Sequence, residues 1–460
     1  MSIQLPSIAA LAATLALIPV SACNLDVPDL NNPGIDDLAQ NPTRSSVTAA
    51  CTGLLIGNRR NRAAGNGYIA QLGILGREAY NFDGADPRYF GELLEGTLQQ
   101  GSPFGGNFWG APYANIRLAN TVQRAVDKVA EFSGEEKSAI LGFSQTIEAT
   151  DLLEVAVTHD TNGGVIDTDH DLDQALGPIV GKAEMFAEIV KQLDDSAAAL
   201  GKAGKEFPFP LSSGYKGFDT PATFLKYNRA IRARVAVYVK DYAGALTALQ
   251  ASFLDDTVMT VAGLQVGVSH AYSTGSGDAT NSLINPNLFA HPSFRMDAQM
   301  NGANPDARFT RKTRTVTTSG SGGGVSSNLK YTVYASNTAP VPIIRNEELL
   351  LLRAEARYVT GDTAGALADL NLVRTVSGGL AAIAGPLTMT DFVTALLYER
   401  RYSLAFEGHR WIDARRLDRI MDLPLDKPAH NRNVRYPIPL AECNARPGEP
   451  ACMLGSLPSP

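Results

Sequence analysis

Residues Arg232 to Leu249 (RARVAVYVKDYAGALTAL) align without a gap on Arg353 to Leu370 (RAEARYVTGDTAGALADL). The opening Arg-Ala, a capping Asp (Asp241, Asp362) and Ala-Gly-Ala-Leu coincide. Each copy reads as a helix, a short turn and a second helix, with small residues where the two cross. Such a unit cannot bury its apolar face alone, so copies stack and share a core in the manner of tetratricopeptide repeats. The second copy shows the helix grammar. Asn346 is placed as N-cap, with Glu347 and Glu348 in the first turn, where carboxylates favour the helix dipole. Leu349, Leu352, Ala356 and Val359 fall on one face. Gly361 breaks the helix, Asp362 caps the next, Ala366, Leu370 and Val373 form its stripe, and Gly378-Gly379 ends it. Further helical periodicity occurs at 40–60, 68–80, 107–132, 134–157, 182–202, 221–240 and 390–407. A stable array needs three or more units, and 107–132 with 134–157 is the expected degenerate copy. The predicted fold is all-α, a tetratricopeptide-like helical repeat scaffold carrying long irregular insertions.

Those insertions are residues 81–106, 158–181 and 253–342. Long loops within a compact domain are commonly functional. The third holds Ser319 to Gly324 (SGSGGG), which reads as flexible. In the second, Asp167, Asp169, Asp171 and Asp173 alternate like the start of a calcium loop. Leu172 stands where that loop needs Gly, and Pro178 where it needs Glu. Calcium at Asp167, Asp169 and Asp171 in another geometry stands beside the reading of a solvated acidic loop. The segment Gly177 to Ala183 imitates a phosphate loop with the wrong spacing and no Ser/Thr after Lys182. No other metal or cofactor site is expected.

Ile8 to Ala22 is an apolar run too short to span a bilayer and suited to a signal peptide. It ends in Val20-Ser21-Ala22-Cys23, which looks like a bacterial lipobox, although MSIQLPS ahead of it carries no Lys or Arg. Residues 1–22 are therefore expected to be removed, with Cys23 acylated, by palmitate among other chains, as a membrane tether. Asn24, not Asp, follows the Cys and permits transport to the outer membrane. Export places the cysteines in an oxidising compartment. Cys443 and Cys452, in ECNARPGEPAC, are expected to form a small disulfide loop. Cys51, in TAACTGLLI, packs as a small hydrophobe. Residues 23–460 are read as one domain: a leader at 23–36, a helical part at 37–252, an irregular insertion at 253–342, and a C-terminal repeat and clasp at 343–460.

The stretch ERRYSLAFEGHRWIDARRL (Glu399 to Leu417), followed by YPIPLAE (Tyr436 to Glu442), closely resembles the closing segment of the SusD/RagB family. RNEELLLLRAEARYVTGDTAGALADLNLVR, FWGAPYANIRLANTV (Phe108 to Val122) and the helices at 221–250 fit the same family. The resemblance implies a scaffold of about four repeats bearing irregular ligand-binding elements. It further implies a cell-surface lipoprotein of the bacterial outer membrane. Such a protein caps a SusC-like TonB-dependent channel and captures glycans or, in some members, peptides. The match is poorest at 158–181 and 253–340, the segments that set ligand choice.

Within that string Glu407, Arg410, Asp413 and Arg416 recur every three residues with alternating sign, a spacing at which helix neighbours pair. Glu399 lies between the apolar positions Phe392, Leu396 and Phe406 and is expected to be half-buried and to need a cation. The group reads as an ion-paired clasp joining the last helix to the array, with Trp411 packed inside it, and not as catalytic carboxylates.

Forty basic against 47 acidic residues give a net charge of −7 and no basic run, which argues against nucleic acid as partner. No G-x-S-x-G elbow or H-E-x-x-H motif occurs, so no catalytic residue is assigned. A surface glycan hydrolase would need two positioned carboxylates. A peptide-binding repeat scaffold is the other alternative. The preferred reading is a binding module that captures a glycan and passes it on without turnover. Sugar capture needs flat apolar rings beside hydrogen-bonding groups. With only two Trp, that duty falls to Tyr, Phe and His. Asn81, Phe82, Arg88, Tyr89 and Phe90 are the candidates in one loop. Tyr272, His291, Phe294, Tyr331 and Tyr334 are those in the long insertion.

Overall fold

The protein is described by a computed structural model over residues 34–170, 174–276 and 278–457. Its main elements, in chain order, are α1 (Arg44–Asn58), α2 (Tyr68–Leu75), β1 (Ala79–Asn81), α3 (Gly110–Val126), α4 (Gly134–His159), α5 (Lys182–Leu200), α6 (Pro221–Tyr238), α7 (Tyr242–Gln250), β2 (Gly267–His270), β3 (Leu288–Ala290), β4 (Thr313–Gly322), β5 (Val325–Tyr331), β6 (Val341–Arg345), α8 (Asn346–Val359), α9 (Thr363–Val376), α10 (Met389–Ser403) and α11 (Arg410–Arg416). A short helix, Ile35–Gln40, begins inside the expected leader.

The helices stack as four pairs: α1 with α3, α4 with α5, α6 with α7, and α8 with α9. The second helix of each pair leans on the first helix of the next, and α1, α4, α6 and α8 touch in series. This is the tetratricopeptide arrangement expected from the repeat. The expected third copy is corrected, however. Residues 107–132 and 134–157 do form helices α3 and α4, but these belong to neighbouring units. Helix α3 packs on both α4 and α1, and the phase set by α1, α4, α6 and α8 touching in series pairs it with α1, on the far side of a long insertion, and α4 with α5.

The two aligned copies share a cap. Asp241 and Asp362 accept from the backbone N–H of Gly244 and Gly365 at 2.9 Å each. A Cβ on either glycine would collide with that carboxylate, which explains the Gly in Ala-Gly-Ala-Leu. Asn346 does not cap α8. It is the first helical residue, and its amide instead clamps Asp255, accepting from that residue's N–H at 2.9 Å and donating to its carbonyl at 2.7 Å. Helix α8 is also more buried than one stripe requires. Leu349, Leu352 and Ala356 face the main core, while Leu350, Leu351 and Ala354 face a second cluster with Leu370 and Phe392. Val359, expected on the buried face, is 43% exposed.

The long insertion is more ordered than its composition predicts. Strand β2 pairs antiparallel with β6, β3 with β1, and β4 with β5. Ser319 to Gly324, read as flexible, instead forms the end and turn of the β4–β5 hairpin. This tip lies on aromatic rings. A Cβ at Gly320 would strike Phe82 and Phe289, and one at Gly323 (φ +55°) would strike Phe90.

The charged C-terminal string is a buried clasp. Glu399, fully enclosed and not half-buried as expected, pairs with Arg308 at 2.6 Å and Arg374 at 2.8 Å. Asp413 pairs with Arg400 at 2.7 Å and Arg416 at 2.8 Å, and Arg416 reaches Glu355 at 2.6 Å. Glu407 is not on that helix. It sits in a turn between Phe406 (φ 58°) and Gly408 (φ 86°) and pairs with Arg345. Arg410 accordingly has no Glu407 beside it and donates to the carbonyl of Arg77 at 2.9 Å. Trp411 is buried, donating to the carbonyl of Asn433 at 2.7 Å. Cys443 and Cys452 are joined by a disulfide, and Cys51 is buried with its thiol pKa pushed up by burial.

Candidate ligand-binding cleft

Helix α1 ends at Asn58, whose amide donates to Thr150 at 2.9 Å and Asp151 at 2.8 Å on α4. The chain then turns through Arg59, Arg60 and Asn61 (φ 61°). Arg62 is drawn inward to Glu154 at 2.7 Å. Arg59 points the other way, donating to the carbonyl of Ala271 and the carboxylate of Asp278 in the long insertion. Its guanidinium lies 5.5 Å from the centre of the Tyr272 ring. The loop after it is fixed independently. Ser282 N–H donates to Ala63 at 2.8 Å, and the Asn281 amide donates to Ala339 at 2.9 Å.

Two cavities of about 470 and 560 Å³ meet along this contact, sharing Ile56, Arg59, Tyr272 and Asp278. Each falls within the range of small-molecule sites. The first is walled by Leu55, Leu211 and the hydroxyl-bearing Ser212, Ser213, Ser273 and Ser276. The second is walled by Arg60, Asn61 and the small residues Gly53, Ala111 and Ala114. Asp278 accepts from the Ser273 hydroxyl, and this bond, with Arg59 beside it, holds its carboxyl below the usual carboxylate range. Burial pushes the Tyr272 phenol up to about 12. His270, on the wall of the first cavity, is held neutral by burial and by Arg62 and Arg59. Asp278 is the single carboxylate among the described residues lining either cavity. The cleft therefore offers a flat ring, a fixed cation and several hydroxyls, but no carboxylate pair.

Of the ten residues expected to meet ligand, Tyr272 lines this cleft, itself only 7% exposed. Phe82 and Phe90, half-buried, stack at 5.9 Å under the hairpin tip, and Phe82 also meets Phe289 at 5.3 Å. Arg88 pairs with Asp86 at 2.8 Å. Of the others, Asn81, Tyr89, His291, Phe294 and Tyr334 are buried in the scaffold and Tyr331 is half-buried. Asn81 accepts from Asp83 N–H at 3.1 Å within the turn after β1. Tyr89 packs on Phe104, Phe294 on Tyr402 and Tyr331 on Phe406. Tyr334 donates to the carbonyl of Phe406 at 3.0 Å, and His291 contacts Asp426 at 3.0 Å. Arg59 and Asp278 are the residues that sequence reasoning misses. The one available signal is the polar NRRNR run directly after a helix.

Of the calcium candidates, Asp169 pairs with Arg124 at 3.2 Å, and Asp171 lies outside the described residues. No group of three or more His, Cys, Asp or Glu able to hold a metal occurs among the described residues. Cys23 lies outside them too.

Residues 296–438 match the model of the SusD family. No curated protein sequence matches the chain. Among solved structures, a SusD superfamily protein from Bacteroides vulgatus ATCC 8482 superposes with a TM-score of 0.67 at 13% identity, covering 90% of this chain and 98% of that one. A SusD-like carbohydrate-binding protein from Bacteroides fragilis NCTC 9343 gives 0.68 at 15% identity, covering 87% and 98%. A laminarin-binding SusD-like protein gives 0.66 at 16% identity, covering 87% and 97%. The chain thus carries the SusD family's sequence pattern across its C-terminal third and shares the fold of SusD superfamily structures over most of its length.

Proposed function

We propose that this chain captures a saccharide in the cleft between α1 and the 271–285 loop and passes it, unaltered, to a SusC-like TonB-dependent channel. It does so from the outer membrane, tethered by lipid at Cys23. The observation that carries the reading is the Arg59 guanidinium held beside Tyr272 where the two cavities meet. A ring of this kind packs on sugar C–H faces while the cation and the serine hydroxyls meet sugar oxygens. Structural neighbours described as carbohydrate-binding and laminarin-binding support a glycan as the ligand class. Binding without turnover is supported by the lone, ion-paired Asp278, since glycoside hydrolysis needs two carboxylates across the scissile bond. Delivery and tethering rest on the family resemblance and the lipobox. No helix among the described residues is long and apolar enough to cross a membrane.

Calorimetry with laminari- and malto-oligosaccharides tests the capture step. One series binds the wild type, and Tyr272→Ala weakens it several-fold, the loss of about 0.5–1.5 kcal/mol expected for one ring. No reducing ends appear on long incubation. Equal affinity in Tyr272→Ala and Arg59→Ala moves the site elsewhere, and new reducing ends overturn the binding-only reading. Competition by a short peptide selects the peptide alternative. Cys23→Ser releases the protein from membranes if the tether is as proposed.

A further inference from the structure

A cavity of about 510 Å³ opens elsewhere, between α10, the start of α11 and the turn after β3. It shares no lining residue with the cleft. Three guanidiniums line it, from Arg401, Arg410 and Arg419, against two carboxylates, Asp297 and Asp422. Those carboxylates sit at the rim, 51% and 62% exposed. Arg401 spends two nitrogens on Asp297 at 2.7 Å and Ser293 at 2.8 Å, while its Nε is buried without a partner. Arg410 has no carboxylate within ion-pair distance among the described residues, and it donates to a carbonyl, that of Arg77. Tyr398 supplies the one aromatic ring of the lining.

A cation withdrawn from water without a counter-charge is costly to the fold. Burial and repulsion from Arg401 push the Arg410 guanidinium down to about 9. The acid behind it, Glu78, compensates weakly. Its carboxyl is buried and pushed up to about 7, with Oε2 unpartnered. The unmet demand of both arginines is for an oxyanion that accepts from a planar fork, a geometry that carboxylate and phosphate share.

We infer that this cavity is a second binding site, for a sugar bearing a carboxylate, with Arg410 and Arg401 as its anion-binding residues. The inference does not rest on the cleft being a glycan site. The carboxylate meets the two guanidiniums, and the pyranose occupies the volume beside Tyr398, Leu397 and Leu423.

The test is calorimetry of the full chain with digalacturonate, with galactobiose as its neutral counterpart. Digalacturonate binds and galactobiose does not. Arg410→Gln weakens binding by about tenfold or more, the usual effect of losing a charge-assisted hydrogen bond. Because Arg410→Gln alters a half-buried position, a second variant works in the opposite direction. Asp297→Asn, at the exposed rim, frees Arg401 from its competitor and tightens binding several-fold. Tyr272→Ala leaves digalacturonate affinity unchanged, which separates this site from the cleft. Equal binding of acid and neutral disaccharides, no binding of digalacturonate, or unchanged affinity in both Arg410→Gln and Asp297→Asn overturns the inference.

Discussion

Arg308 and Glu399, 91 residues apart in sequence, meet at 2.6 Å with both side chains wholly enclosed. The contact ties the long insertion to α10 and so to the repeat array. Arg308 also pairs with Asp306 at 2.6 Å, and Glu399 with Arg374 at 2.8 Å. Such a network does not stabilise simply by attraction, because desolvating its members costs about as much. Breaking it from one side is what hurts. Glu399→Ala leaves two buried guanidiniums short of an anion and should lose about 3–5 kcal/mol. Urea unfolding checks this, and a loss under about 1 kcal/mol means that water enters and replaces the carboxylate.

The hairpin tip gives a second prediction. Gly320 lies where any Cβ meets Phe82 and Phe289. Gly320→Val should lift the β4–β5 hairpin off these rings while leaving the helices intact. Limited proteolysis should then cut near residue 323, and an apolar dye should bind the uncovered rings. Wild-type resistance in the variant would mean that the rings shift aside instead.

What the sequence makes legible here is what local chemistry controls. Asp241 and Asp362 cap helices because the carboxylate and the receiving N–H are three residues apart, and both caps are present as read. The pairing of α3 with α1 is not legible, since adjacency in the chain favours α4 and the intervening insertion hides the true partner. The same distance hides the cleft. Arg59 and Asp278 are 219 residues apart, and neither carries a motif. The aromatic residues of the insertion mislead for another reason. A ring in a loop is equally suited to meeting ligand or to anchoring that loop, and Phe294 stacks on Tyr402 while Tyr334 donates to the carbonyl of Phe406. The Gly-rich tip reads as flexible because composition does not reveal that its glycines admit rings.

It follows that Tyr334→Ala acts on stability. Its hydroxyl donates to the carbonyl of Phe406 and its ring lies 6.2 Å from that of Phe406. Truncating a buried aromatic costs about 3–5 kcal/mol. The melting temperature should fall, with saccharide affinity unchanged by calorimetry wherever the variant remains folded. A selective loss of affinity would return Tyr334 to the ligand site.

The disulfide should matter to the C-terminal tail more than to the scaffold. Cys443 and Cys452 are nine residues apart, and the carbonyl of Cys452 accepts from Gln100 at 2.6 Å. A loop so short contributes about 2–3 kcal/mol by constraining the unfolded chain. Replacing both cysteines by Ser should lower the melting temperature by a few degrees and speed proteolysis after residue 440, with the far-ultraviolet spectrum unchanged. Alkylation of both thiols without prior reduction would show that the bond does not form.

Glu78 supplies a pH dependence whose sign can be stated. Burial raises its carboxyl from an ordinary 4.5 to about 7, against the lowering effects of Arg410, the Phe406 N–H and Arg401; Glu407 adds to the rise. The folded state therefore holds the proton more tightly than the unfolded chain. This contribution to stability is fully present below about pH 4.5 and is lost as pH rises through 7. Glu148 and Asp151, raised by burial to about 7 and about 8, act with the same sign. Glu348 does not interfere in this window, because Arg234 outweighs its burial and keeps its carboxyl near 2. The carboxyls alone would raise the melting temperature at pH 5 over that at pH 7.5. His159, His270, His291, His409 and His430, all lowered by burial, oppose them in the same window. The measurable signature is therefore the change in this pH difference when Glu78 is removed. In Glu78→Gln, which cannot ionise and retains an oxygen for the Phe406 N–H, the difference should move in favour of pH 7.5 while the contribution from Glu148 and Asp151 persists. Calorimetric melting of the two proteins at both pH values measures this. An identical difference in both would mean that Glu78 titrates alike in the folded and unfolded chains.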